Sequence, residues 1–164
     1  METQNNTYRK LIQLLKYHRA RYRIIDHEPE GVTAIASELR GHALAAAAKS
    51  IVVAVKQKSA APAHVLAVVS GVDRVDFESI RRMYGGTRAY FAPVTTAEDL
   101  AGSVSGTVLP FTFTDQMELI VDHNLLTHEE IFFNAARLDR SLALDTVDYQ
   151  KIANPRIESI AQSG

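Results

Sequence analysis

The sequence predicts an α+β fold built on a mixed or antiparallel sheet. Three observations carry that expectation. Two apolar runs, Ser50–Val55 and His64–Val69, are continuous rather than alternating, the pattern of strands buried on both faces. Short helical segments with their own capping residues lie between the strand candidates without a regular βαβ period. A chain of 164 residues with 46% hydrophobic content also suffices for one compact domain with a real core.

The elements follow in order. Tyr8, Leu11, Ile12 and Leu15 recur at helical spacing with Lys and Arg opposite, so an amphipathic helix is expected over about residues 7–20. Tyr22–His27 reads as a short strand, broken by Glu28-Pro-Glu-Gly31. Thr33 stands where an N-cap would open a helix through Leu39, closed by Gly41. Ala43–Ala48 is small and apolar, and Lys49 then opens the first buried strand. The loop Lys56–Pro62 leads to the second. Asp76 caps a helix to Tyr84, ended by Gly85-Gly86, and Arg88–Ala92 is a short strand. Thr95-Thr-Ala-Glu98 has the form of a capping box, starting a brief helix that ends at Gly102. Phe111–Thr114, Met117–Val121, Glu130–Asn134 and Ser141–Leu144 are strand material, with a turn at Asp122-His-Asn124. Asp145 or Thr146 caps a last helix, Val147–Ala153, stopped by Asn154-Pro155.

Composition removes several classes of function. With 18 basic and 19 acidic residues the net charge is −1, which disfavours a broad electrostatic grip on nucleic acid and leaves room only for a local basic patch. DNA is not an expected partner. There is no cysteine, hence no disulfide and no thiolate metal site. No apolar run approaches the ~20 residues of a membrane span, and the N-terminus lacks the basic and apolar regions of a signal peptide, so a cytoplasmic protein is expected. Phosphate-loop, dinucleotide, His-Glu-x-x-His and nucleophile-elbow motifs are all missing. The six histidines are scattered; His123 and His128, near Glu129 and Glu130, match no common ligand spacing. Neither a cofactor nor a metal is expected.

Two stretches stand out for chemistry. Gly102-Ser-Val-Ser-Gly-Thr-Val-Leu-Pro-Phe111 interrupts regular structure, and its glycines allow close approach while Pro110 fixes the end of the turn. Such a loop can aim main-chain N–H groups at one spot. Lys49, behind four alanines at the mouth of a strand, can present a compact positive charge to a phosphate.

Taken together, Ala47-Ala-Lys-Ser-Ile-Val-Val-Ala-Val55 and Gly106-Thr-Val-Leu-Pro-Phe111 resemble the YbaK / prolyl-tRNA-synthetase-associated editing-domain family, whose signature is a strand-opening lysine and a Gly-x-x-x-Pro loop. His27-Glu-Pro-Glu-Gly-Val-Thr33 and the segment from Val121 to Asn134 agree with it, so the likeness runs from about Tyr22 to Ile152. The expected architecture becomes a single domain over residues 1–164: a largely antiparallel, barrel-like sheet ringed by short helices, with the first helix as an appendage.

The resemblance implies a freestanding trans-editing deacylase that cleaves the ester between a small non-cognate amino acid and the terminal adenosine of a tRNA. The tRNA acceptor end is then the partner, with a synthetase or an elongation factor admitted beside it. Lys49 would hold the terminal phosphate, and the main chain of Gly106 through Leu109 would stabilise the developing oxyanion. Thr33, Thr107, Val108, Leu109, Pro110 and Asn134 would shape the substrate pocket. No side chain is a convincing general base, so a water assisted by the ribose hydroxyl would attack. Alanine, serine, threonine and cysteine esters all remain open. The alternative is a non-catalytic module binding tRNA ends or nucleotides. The intact Lys49 and Gly106-to-Pro110 loop favour the enzyme.

Overall fold

The structure is a computed structural model that describes residues 2–164, with side chains described from Asn6 onward. The longest helix, α1 (Glu2–Tyr17), precedes β1 (Tyr22–Asp26) and α2 (Thr33–Arg40). A 3-10 turn at Leu44–Ala46 leads into the long pair β2 (Ala48–Lys56) and β3 (Ala63–Ser70). Then come β4 (Asp73–Val75), α3 (Phe77–Tyr84), β5 (Arg88–Phe91) and α4 (Val94–Ala101). After an irregular stretch follow β6 (Glu118–Asp122), β7 (Glu130–Asn134), β8 (Arg140–Asp145) and α5 (Thr146–Ala153). The chain closes with β9 (Arg156–Glu158) and β10 (Ala161–Ser163).

The α+β class holds, and the sheet is mixed. The central sheet runs β5-β2-β3-β6-β9, antiparallel through β5, β2 and β3 and parallel from β3 to β9. A second, antiparallel sheet runs β1-β8-β7, and β10 pairs with β4. These ladders do not close into a barrel as expected. Closure needs a continuous staggered ladder around the whole circuit, whereas here a single bridge between Ala47 and Phe132 links the two larger sheets.

Both faces of β2 and β3 are covered, which is why their sequences are apolar without alternation. Val52, Ala54, Leu66 and Val68 pack toward β7, β8, Tyr149 of α5 and the helix α1. Val53, Val55, Val65 and Ala67 pack the other way, against Val75, Ile80 of α3 and Ile160. The helix anticipated as an appendage contributes Leu11 and Leu15, both 0% exposed, to the first of these clusters. Burying each of those side chains is worth about 2 kcal/mol.

Local signals were followed where they were strong. Gly41 and Gly85 close α2 and α3 in the left-handed region, at φ 77° and 62°. Asp76 and Asp145 cap α3 and α5, accepting from the N–H groups of Ser79 and Asp148. Thr33 is the first helical residue of α2 rather than its cap, which is Val32. The capping box before α4 does not form. The helix starts at Val94, after Pro93, and Glu98 reaches forward instead to the Ser105 N–H (2.8 Å) and hydroxyl (3.1 Å). Phe111–Thr114 is not a strand, because Thr112 and Thr114 hydroxyls bond neighbouring main-chain groups in place of a ladder.

Candidate active site

A notch in the central sheet sets the site. Strand β5 accompanies β2 only over Val53–Lys56, with a last main-chain bond from the Ala92 N–H to Val52 O at 3.0 Å. From Ala48 to Ile51, β2 keeps β3 as its neighbour and loses β5. Into this gap come the start of α2, the loop after α4 and the end of β7, enclosing a cleft of about 210 Å3.

Helix α2 supplies Thr33, Ala36 and Arg40 to one wall, positions i, i+3 and i+7 of a single helix face. The loop supplies Gly106 and Val108. Gly106 sits at φ 87°, and a Cβ there would lie 2.9 Å from Gly31 Cα, so two glycines let the loops before α2 and after α4 touch. Asn134, at the end of β7, staples them: its amide nitrogen donates to Glu30 O (2.7 Å) and Gly106 O (3.0 Å). Its amide oxygen accepts from Ser141 Oγ (2.9 Å) and Arg40 Nη1 (3.3 Å), which fixes which end of the amide faces the loops.

Of the residues singled out from sequence, Lys49, Gly106, Thr33, Val108 and Asn134 meet around the cleft. Thr107, Leu109 and Pro110 stand behind its wall. Thr107 is fully buried, with both its N–H (3.0 Å) and its hydroxyl (2.7 Å) bonded to Val104 O. Leu109 belongs to the core, and Pro110 O accepts from the buried Tyr149 hydroxyl at 2.6 Å. Among the described residues no hydrogen-bond partner meets the N–H groups of Gly106 and Val108, two residues that line the cleft.

Lys49 points to the face of β2 that carries Ile51 and Val53, and its ammonium donates to Asp73 O. Burial pulls its pKa below the ordinary lysine value; the Asp73 charge opposes this and Arg74 adds to it. On the opposite face Ser50 lines the cleft, and its buried hydroxyl lacks a hydrogen-bond partner.

The family model of the aminoacyl-tRNA editing domain matches residues 27–152. The chain is also 37% identical over 152 residues to the Multifunctional Ser/Thr-tRNA deacylase ProXp-y of Escherichia coli K12, covering 92% of this chain and 90% of that one. The counterpart from Escherichia coli O157:H7 matches to the same extent. The chain belongs to the aminoacyl-tRNA editing domain family. Among solved structures, the hypothetical protein APE2540 superposes with a TM-score of 0.81 at 18% identity, over 93% of this chain and 99% of that one. A candidate trans-editing enzyme for prolyl-tRNA synthetase superposes at 0.78 with 16% identity, over 96% and 98%. Both likenesses concern the fold.

The editing-domain match takes in every cleft residue and leaves α1 outside. Within it, Arg40 and Ser50 escaped the sequence reading. Among the described residues Arg40 hydrogen-bonds neutral groups: His42 Nε2 at 2.9 Å, Ser141 Oγ at 3.2 Å, Asn134 Oδ1 at 3.3 Å and Ser37 Oγ at 3.4 Å. Burial pushes its pKa down to about 10, and its charge is left over for whatever enters the cleft. The spacing Thr33, Ala36, Arg40 was the signal that could have found it. His27 and His42 brace this network from behind, through Ser141 (2.7 Å) and Arg40 respectively. His123 and His128 lie away from the cleft, at the 3-10 turn Leu125–Thr127.

Proposed function

We propose that this editing domain hydrolyses the ester of seryl- and threonyl-tRNA in trans, releasing the amino acid and the free tRNA 3′ terminus. One observation carries the reading: a small polar cleft lined by Lys49, Arg40, Ser50 and the glycine main chain of Gly31 and Gly106. The name of the Escherichia coli relative supports the choice of amino acids.

The residues divide the work by position. Lys49 holds the phosphate of the terminal nucleotide and so places the ester, a contribution from orientation rather than proton transfer. Water attacks the ester carbonyl, assisted by the neighbouring ribose hydroxyl, which relays the proton to the leaving oxygen. The N–H groups of Gly106 and Val108 receive the oxyanion of the tetrahedral intermediate. Thr107, Leu109 and Pro110 support the loop from behind, while Thr33, Asn134 and Arg40 bound the amino-acid end. Ser50 exchanges a hydrogen bond with the substrate hydroxyl. A buried polar group that is satisfied only by the correct substrate discriminates against one lacking it.

A net charge of −1 offers no wide basic surface for the body of a tRNA. Recognition therefore centres on the acceptor end, and a synthetase or elongation factor delivers the rest. The reaction takes place in the cytoplasm, with the aminoacyl-tRNA pool.

The test is a panel of tRNAs carrying serine, threonine, alanine, cysteine or valine, incubated with the purified protein and scored for released amino acid. Serine and threonine are expected to leave fastest. Absence of release from every member, with retained binding of the acceptor end, would establish a non-catalytic binding module instead.

A further inference from the structure

Lys49 and Ile51 belong to two hollows at once. On the far side of β2 from Ser50, the side chains of Ile51, Val75, Phe77 and Phe91 floor a second recess of about 320 Å3, with Lys49 and Arg74 on its rim. The Phe77 and Phe91 rings meet edge to face, 4.9 Å between centroids at 73°. That contact holds the Phe91 ring in place although the residue is 65% exposed. An aromatic face fixed in this way, open to solvent and flanked by cations, suits a planar base with a phosphate on either side. Arg74 is exposed and, among the described residues, has no ion-pair partner. The Lys49 ammonium leans onto Asp73 O, in the same short strand as Arg74, so Lys49, which lines both recesses, stands near Arg74, which lines the second.

We propose that this recess is a nucleobase shelf for the next-to-last nucleotide of the tRNA 3′ end, its base stacked on Phe91 and its own 5′ phosphate facing Arg74. The assignment rests on the deacylase reading in one respect: the ester must lie in the cleft beside Gly106. The strand of the tRNA then runs from the ester to the terminal phosphate at Lys49 and emerges on the Phe91 side. Stacking reads no sequence, which fits a terminus shared by all tRNAs, and it adds grip where the net charge of the protein supplies little.

The experiment uses a fluorescein-labelled, unacylated RNA tetranucleotide ACCA and an analogue abasic at the next-to-last position, titrated by fluorescence anisotropy with the full chain. The native protein should bind the intact RNA roughly tenfold more tightly than the abasic one. Phe91→Leu, which keeps an apolar side chain but removes the ring, should bind both alike, and Phe91→Trp should restore the preference. Equal binding of the two RNAs by the native protein would overturn the shelf, as would a preference that survives Phe91→Leu. Neither RNA carries an ester, so the outcome is separate from success or failure of the deacylation panel.

Discussion

The two halves of β2 have the same pairing partner in β3 and opposite uses. Val53–Val55 is held by β3 on one side and β5 on the other, and these residues are sealed from solvent. Ala48–Ile51 keeps β3 alone, and its side chains line a hollow on each face: Ser50 toward the cleft, Lys49 and Ile51 toward the aromatic recess. The second half is core because both edges and both faces are satisfied. The first half borders the cleft because one edge is released and no strand fills that space. A single strand thus ties the cleft to the central sheet, which fixes the position of the residues that line it.

The sharpest way to break that comparison is one substitution in each half. Lys49→Ala should lower kcat/KM on seryl-tRNA on the order of a thousandfold, because substrate placement is lost, while leaving the urea midpoint unchanged. Val53→Ala should do the reverse, costing about 2 kcal/mol of stability with turnover per folded molecule intact. If Lys49→Ala instead unfolds the protein and Val53→Ala silences it, the division between the halves is wrong.

Next in size is the loop facing the notch. Gly106→Val forces a side chain to φ 87° and sets its Cβ 2.9 Å from Gly31 Cα, pulling apart the two loops that Asn134 staples. Turnover should fall on the order of a hundredfold through the displaced main-chain donors. Thr107→Ala removes the bond to Val104 O behind the wall; it should cost about 1 kcal/mol of stability and change turnover only a few-fold. Equal damage to turnover from both, in folded protein, would move the chemistry from the backbone to the hydroxyl.

What the sequence revealed follows the range of the forces involved. The apolar runs of β2 and β3 were legible because burial on both faces leaves no polar position, and Asp76, Asp145, Gly41 and Gly85 were legible because capping is local. Phe111–Thr114 was not, since two threonine hydroxyls compete with a ladder in a way that β-propensity alone does not show. The barrel failed for a longer-range reason: closure depends on which strands meet, and here the two larger sheets meet at the isolated Ala47–Phe132 bridge rather than along a ladder. Lys49, Gly106 and Asn134 were marked by motif and resemblance. Ser50 looked like one more residue of a buried strand, and only the missing length of β5 brings it to the wall of a cleft.

Ser50 therefore gives a smaller but more selective prediction. Ser50→Ala removes an unpartnered hydroxyl from the native protein, so stability should hold or rise slightly. Release of serine should slow by roughly tenfold while release of alanine stays the same. Measuring kcat/KM on both esters decides it, since equal slowing would mean that Ser50 shapes the cleft without reading the amino acid.

The smallest expected effect is a titration confined to the cleft half. His42 stacks on Phe132 at 3.8 Å, next to the bridge that joins Phe132 to Ala47. Its Nε2 accepts from Arg40 and its Nδ1 donates to Ala43 O at 2.8 Å, an arrangement that needs a neutral ring. Burial lowers the pKa of this imidazole; the Ala43 bond works against that, and the Arg40 charge with it. An unfolded histidine titrates at about 6.5, so as pH drops through that value the unfolded chain takes up a proton that the folded one refuses. Stability is then fully present above that pH, declines below it, and levels off once the folded ring is protonated as well. The ring is half exposed and screened, which limits the loss to under about 1 kcal/mol. Urea melts between about pH 5 and pH 8, comparing the native protein with His42→Gln, should show the decline in the native protein and its reduction in the variant. Val53→Ala, in the sealed core of the sheet, should lower both ends of the native curve equally. Parallel curves for the native protein and His42→Gln would show that the ring does not brace Arg40 in its neutral form.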